Sequence, residues 1–139
     1  MMPRYSRSVI LIAAVAAILP MANVGAAAHE TVRPAFSEAI PNLPGKTLTS
    51  VIVSYPPGVS SKPHTHARSA YIYAFVISGA IRSKVDDGPA KVYRAGESWS
   101  EVPGAHHVVS ENASKTAPAR LLAVFIANTG DTTLTTPDK

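Results

Sequence analysis

The sequence predicts an all-β single domain, a sandwich or a barrel. Three observations carry that expectation. Short β-branched and apolar runs recur at close spacing. Turns built on proline and glycine separate them, from 12 prolines and 8 glycines in 139 residues. After the first 28 residues no stretch repeats its apolar positions at the helical interval. The length suits one domain of ordinary size and not two.

The first 28 residues are expected to be an address, not part of the domain. Arg4 and Arg7 form a basic stub, Val9 to Leu19 is an apolar run, and small residues follow to Ala26-Ala27-Ala28. Those are the three parts of a secretory signal peptide. The run is shorter than the ~20 apolar residues that cross a bilayer, so no stable membrane anchor is expected after cleavage. The expected location is periplasmic or secreted. Cleavage after Ala28 would leave 111 of the 139 residues, with eleven of the 13 bases against all nine acids. The formal charge of +4 thus falls to about +2, which removes the support for nucleic acid as a partner. His29 would become the new terminus; a polar residue at a frayed end is the simpler reading of it, against copper chelation.

Residues 29–45 carry Pro34, Pro41, Pro44 and Gly45 and read as an extended, irregular lead-in. Thr47 to Tyr55 is β-branched and bounded by Pro56-Pro57-Gly58, a strand followed by a loop over 59–63. Tyr71 to Ser78 is apolar at odd and even positions alike, which predicts burial on both faces. Gly79 breaks it and Ala80 to Val85 continues as a strand. Asp86-Asp87-Gly88-Pro89 is a turn in which Gly88 is expected to supply a positive φ. Strands follow at Lys91 to Arg94, Glu97 to Val102, and from His106 to Ser110, separated by Ala95-Gly96 and Pro103-Gly104. Leu121 to Ala127 is a last buried strand, and the polar tail over 128–139 is expected to be loose.

Chemistry concentrates in the histidines. With no cysteine in the chain, disulfides, thiolate metal sites and thiol nucleophiles are excluded. His64-Thr65-His66 places two imidazoles on one face of a strand, because residues i and i+2 point the same way. His107 opens a strand some forty residues later, and its neighbour His106 must point the opposite way. Three neutral imidazoles on one inner wall suit a divalent transition metal (Fe, Mn, Ni, Cu or Zn) with open coordination positions. Nucleophile elbows, phosphate-binding glycine loops and paired catalytic carboxylates are absent.

The spacing around these histidines resembles the two motifs of the cupins, most closely the small single-domain bacterial cupins of the type-2 conserved barrel. Gly58 precedes His64 by five intervening residues, His66 and Gly79 follow, and Gly96, Val102, Gly104 and His107 repeat the second pattern. The resemblance covers residues 46–127 and implies a double-stranded β-helix, a jelly-roll barrel, with His64, His66 and His107 as metal ligands. A cupin usually carries a glutamate shortly after the first histidine pair; here Ala70, Tyr71 and Ile72 fill that stretch. Val102 stands at the second motif's proline position, and its asparagine falls one residue late, at Asn112. A three-histidine site is therefore the expectation.

Alternation puts Trp99 and Glu101 on one face, inward if the second motif behaves as usual. An ionised carboxylate inside a barrel needs a partner. Glu101 is thus a candidate fourth ligand or catalytic acid/base, against the alternative of a carboxylate at the wet rim. Tyr71, Tyr73, Trp99 and Arg82 are candidate pocket residues, with core, interface or solvent as their competing placements. The expected function is an exported metal-dependent enzyme, dioxygenase- or isomerase-like, acting on a small molecule. The alternative is a non-catalytic cupin that binds or senses a small ligand. The two-sided apolar strand is compatible with a homodimer.

Overall fold

The computed structural model describes residues 27–139. The segment expected as a signal peptide lies outside the described residues except for its last two. Ten strands and no helix make up the described chain: β1 Thr31–Ala39, β2 Lys46–Tyr55, β3 His64–His66, β4 Tyr71–Ser78, β5 Ala80–Val85, β6 Lys91–Arg94, β7 Ser98–Glu101, β8 His106–Asn112, β9 Ala119–Asn128 and β10 Thr135–Pro137. They form two five-stranded sheets, β1-β2-β9-β4-β7 and β10-β3-β8-β5-β6. Every pairing is antiparallel. The chain repeatedly crosses from one sheet to the other, which is the double-stranded β-helix that the resemblance implied.

The core lies between the sheets and has two parts. One gathers Val53, Tyr55, Ala74, Val76, Ile81, Trp99 and Leu121. The other gathers Ala70, Ile72, Ala123, Phe125 and Ala127. Their numbering shows the period of two: 72, 74 and 76 on β4, and 121, 123, 125 and 127 on β9, point inward. Gly79 makes the passage from β4 in one sheet to β5 in the other. Its φ is +72°, and a Cβ there would stand 2.6 Å from the Pro118 carbonyl oxygen, so only glycine fits.

Four local expectations are corrected. The lead-in is extended but regular: β1 pairs with β2 over its whole length as an exposed edge strand, with a register shift between Pro34 and Phe36. Proline, which cannot donate to a ladder, is tolerated at such an edge. The tail is tied down: β10 pairs with β3, and the Asp138 amide donates to the Pro63 carbonyl at 2.9 Å. In the 86–89 turn it is Asp86, not Gly88, that adopts a positive φ, of 48°. Aspartate tolerates that region better than most side chains. Backbone bonds with His106 hold it there, since its amide donates to the His106 carbonyl and its Oδ1 accepts from the His106 amide, each at 2.8 Å. Finally, β4 is buried on one face only. Tyr71 and Tyr73 are 43% and 42% exposed on the other.

Candidate metal centre

The site is built where the two sheets face each other. On the second sheet, His64 of β3 stands directly opposite His107 of β8. Directly opposed residues share a face, and His66 joins them by alternation. The three rings are mutual neighbours, with centroids 4.9 Å (His64–His66), 5.1 Å (His64–His107) and 6.1 Å (His66–His107) apart. One ligand nitrogen from each lies within 4.8 Å of the others. The rings are wedged between both core groups: Phe125 packs against His66 at 5.7 Å and Trp99 against His107 at 6.3 Å.

Hydrogen bonds on the far side of the rings orient them. His64 Nδ1 lies 2.8 Å from the Lys62 carbonyl oxygen. His66 Nδ1 lies 3.4 Å from the Leu134 carbonyl oxygen and 3.3 Å from the Thr135 hydroxyl. A carbonyl only accepts, so each Nδ1 presents its N–H to the carbonyl and each Nε2 is turned toward the site. This is how metal-ligating imidazoles are usually held. His107 is oriented the other way round. Its Nε2 meets the Ser83 hydroxyl at 2.8 Å, leaving Nδ1 to face Glu101. Burial lowers the pKa of His64, and burial lowers that of His107 to about 4, with the neighbouring imidazoles adding to the effect and Glu101 opposing it. Both rings are therefore neutral at pH 7, the form that ligates.

Glu101 comes from the first sheet and is 2% exposed, so the wet-rim placement is excluded. Its Oε2 lies 3.0 Å from His66 Nε2 and its Oε1 lies 3.3 Å from His107 Nδ1. Trp99 Nε1–H donates to Oε1 at 3.0 Å. Burial pushes the Glu101 carboxyl up, but His66, His107 and the Trp99 hydrogen bond outweigh it and hold the group below its ordinary value. The 3.0 Å approach to His66 is an ion-pair distance, yet it is not directed as a hydrogen bond. His66 Nε2 and Glu101 Oε2 are both buried without a hydrogen-bond partner. Two buried polar atoms 3.0 Å apart and without hydrogen-bond partners are costly unless a proton or a cation lies between them. The three imidazole nitrogens fit a divalent transition metal.

These groups open into a cavity of about 490 Å³. Its wall is mostly apolar, with Val51, Val53, Ile72, Leu121 and Phe125, and exposed His29, Ser60 and Lys62 stand at its open end. Tyr55 adds a polar note. Its hydroxyl is shared with Ser61 at 2.9 Å and Ser110 at 2.8 Å, and burial raises its pKa. Inward alternation along Val51, Val53 and Tyr55 is the sequence signal that would have found it.

The candidate pocket residues are placed elsewhere. Tyr71 and Tyr73 point out of the barrel, because Ile72 and Ala74 take the inward positions. Arg82 is on the outer face of its sheet, paired with Glu111 at 2.8 Å. Trp99 is core, absent from the cavity lining, and touches the site through its hydrogen bond to Glu101 and its packing against His107. His106 points outward, as alternation required, and meets Asp138 at 2.9 Å. Asn112 is structural: its Nδ2 donates to the Pro56 and Ala117 carbonyls and its Oδ1 accepts from the Ser114 amide.

An antiparallel two-sheet barrel with imidazoles converging on its inner wall defines a class, and the comparisons with known proteins give the family. Residues 51–125, more than half of the chain, match the cupin domain family. The protein is a cupin. It is 30% identical over 111 residues to Germin-like protein 9-3 of Oryza sativa subsp. japonica, covering 77% of this chain and 49% of that one. The chain thus spans about half the length of that relative. Among solved structures, a double-stranded β-helix protein from Klebsiella pneumoniae superposes with a TM-score of 0.62 at 18% identity, over 82% of this chain and 89% of that one. An oxalate oxidase superposes with a TM-score of 0.51 at 25% identity, over 58% of this chain and 42% of that one.

Proposed function

We propose that this cupin is an exported metal-dependent enzyme, of dioxygenase or isomerase type, acting on a small and largely apolar molecule with adjacent oxygen donors. The observation that carries the reading is the convergence of His64, His66 and His107 on the floor of an apolar cavity, with the free nitrogens of His64 and His66 selected by backbone carbonyls. These three residues hold the metal, which would supply Lewis-acid polarisation of a bound oxygen or an electron route to dioxygen. The chain's own groups do the rest. Apolar side chains exclude water around the ligand, and the Tyr55 hydroxyl, kept protonated by burial, offers a hydrogen bond from the wall. The cavity volume of about 490 Å³ falls in the range of ordinary small-molecule sites. Among the described residues, Lys62 at the open end is the one lysine or arginine of the lining, and the wall beside the histidines is apolar, which favours a largely apolar ligand.

Metal analysis of the protein purified from its natural compartment tests the reading. Stoichiometric iron, manganese, nickel, copper or zinc is expected, and its loss in His64→Ala. Turnover of a diketone, phenol or sugar acid then marks an enzyme, whereas binding without turnover would mark a ligand-binding cupin. Among the described residues no helix is long and apolar enough to cross a membrane. Export rests on the basic stub, apolar run and small residues that precede His29. Sequencing of the secreted protein's N-terminus checks it.

The outer face of the β1-β2-β9-β4-β7 sheet supports a homodimer. Leu48 is aligned with Ile126, and Ile126 with Tyr71; Val124 is aligned with Tyr73. An antiparallel sheet facing water alternates apolar with polar residues, and this one does not. Sedimentation of the purified protein should therefore give twice the monomer mass.

A further inference from the structure

We propose that Glu101 is the carboxylate ligand of the metal centre, delivered from β7 in place of the β4 position that Ile72 occupies. The inference rests on the three-histidine reading and deepens it. Of the residues in the stretch where the family's glutamate usually falls, Tyr71 points outward and Ile72 points into the cavity, 1% exposed. The inward place is thus held by a side chain that cannot ligate. Ile72 is paired in register with Glu101 on the neighbouring strand. Side chains directly opposite in an antiparallel pair share a face, with Cβ atoms about 5 Å apart. One glutamate side chain spans that step, so a carboxylate rooted on β7 reaches the region a β4 glutamate would serve.

The local contacts favour ligation over a plain ion pair. Trp99 Nε1–H fixes Oε1 at 3.0 Å and leaves Oε2 free. Oε2 then faces His66 Nε2 at 3.0 Å, and neither atom has a hydrogen-bond partner. His66 turns its other nitrogen, Nδ1, to the Leu134 carbonyl at 3.4 Å, so Nε2 is the atom it presents to Glu101. Two ligand atoms at right angles, each about 2.1 Å from one metal, stand about 3 Å apart. Two other carboxylates on the histidine sheet side are engaged elsewhere: Asp138 by His106 and half-buried Glu111 by Arg82. Half-buried Glu30 also lines the cavity, but the carboxylate paired with His66 and His107 is that of Glu101.

Titration of the full mature chain with Co²⁺ tests this, read by calorimetry and by the d–d absorption bands that report the ligand set. Wild type is expected to bind one Co²⁺, and Glu101→Gln to bind it on the order of 100-fold more weakly with shifted bands. The transplanted pair Ile72→Glu with Glu101→Ala should recover most of the affinity. Wild-type affinity and unchanged bands in Glu101→Gln, with binding lost in His64→Ala, would overturn the proposal and leave the three-histidine site standing. Weaker binding with unchanged bands would also overturn it, making Glu101 a positioning residue. No Co²⁺ bound by wild type would sink both readings. Infrared difference spectra of the wild-type protein need no variant: a glutamate carboxylate stretch should move when Co²⁺ is added, and a static one counts against ligation.

Discussion

The two sheets of this barrel differ in what each face is for. The β10-β3-β8-β5-β6 sheet behaves as a half-wet antiparallel sheet: its inner face carries His64, His66 and His107, and its outer face carries the Arg82–Glu111 and His106–Asp138 pairs. The β1-β2-β9-β4-β7 sheet contributes the apolar cavity wall and Glu101 on its inner face, and leaves Tyr71, Tyr73 and Ile77 exposed on its outer one. The barrel thus places the three imidazoles on one sheet and the carboxylate that faces them on the other. The centre then exists only when the sheets are held together.

The largest expected effect comes from removing one of the three converging imidazoles. His66→Ala should abolish stoichiometric metal in the purified protein, because the ring is buried and its oriented Nε2 has no replacement nearby. Metal content near wild type would show that the imidazole face is not the site. Separating the sheets is next. Gly79→Ala forces a Cβ to 2.6 Å from the Pro118 carbonyl oxygen at a φ of +72°. Left-handed backbone and overpacking together cost about 3 kcal/mol, so Tm should fall by on the order of 10 °C. An unchanged melting curve would mean that the crossing between sheets is not tight.

Acid probes the same centre from its electrostatics. The pKa of His107 falls from 6.5 unfolded to about 4 folded, and that of His64 is lowered too. The unfolded chain therefore binds more protons between these values, and stability is lost as pH falls through that window. For the metal-free protein the loss from His107 alone is on the order of 3 kcal/mol between pH 6.5 and 4. Glu101, held below its ordinary value, adds its own loss at lower pH still. Urea midpoints that stay flat across the window would contradict the neutral, buried histidines.

What was legible in the sequence follows the same division. The histidine positions could be read because HxH on a short strand and a strand-opening His107 obey alternation. The inward turn of Glu101 could be read from its step of two from Trp99. The outward turn of Tyr71 and Tyr73 could not, since β4 is apolar at both parities and period two then carries no direction. Nor could the role of the tail. Its Leu134 carbonyl and Thr135 hydroxyl hold His66 through a long-range pairing, and a polar segment announces no such pairing. Asp86 took the left-handed place expected of Gly88 because its side chain and amide both bond to His106, a tertiary contact outweighing a local preference.

The outer faces supply the finest contrast. Tyr73→Lys puts a charge in the apolar face of the first sheet and should shift the sedimenting species to monomer without altering metal content. Arg82→Ala, on the outer face of the other sheet, should do almost nothing. The Arg82–Glu111 pair is close, at 2.8 Å, but its side chains are 46% and 33% exposed. Water and salt screen such a pair to about 0–1 kcal/mol. The expected change in Tm is a few degrees at most, with mass and metal content unchanged. A dimer lost in Arg82→Ala and kept in Tyr73→Lys would reverse the assignment of the two faces, because it would place the partner on the charged sheet.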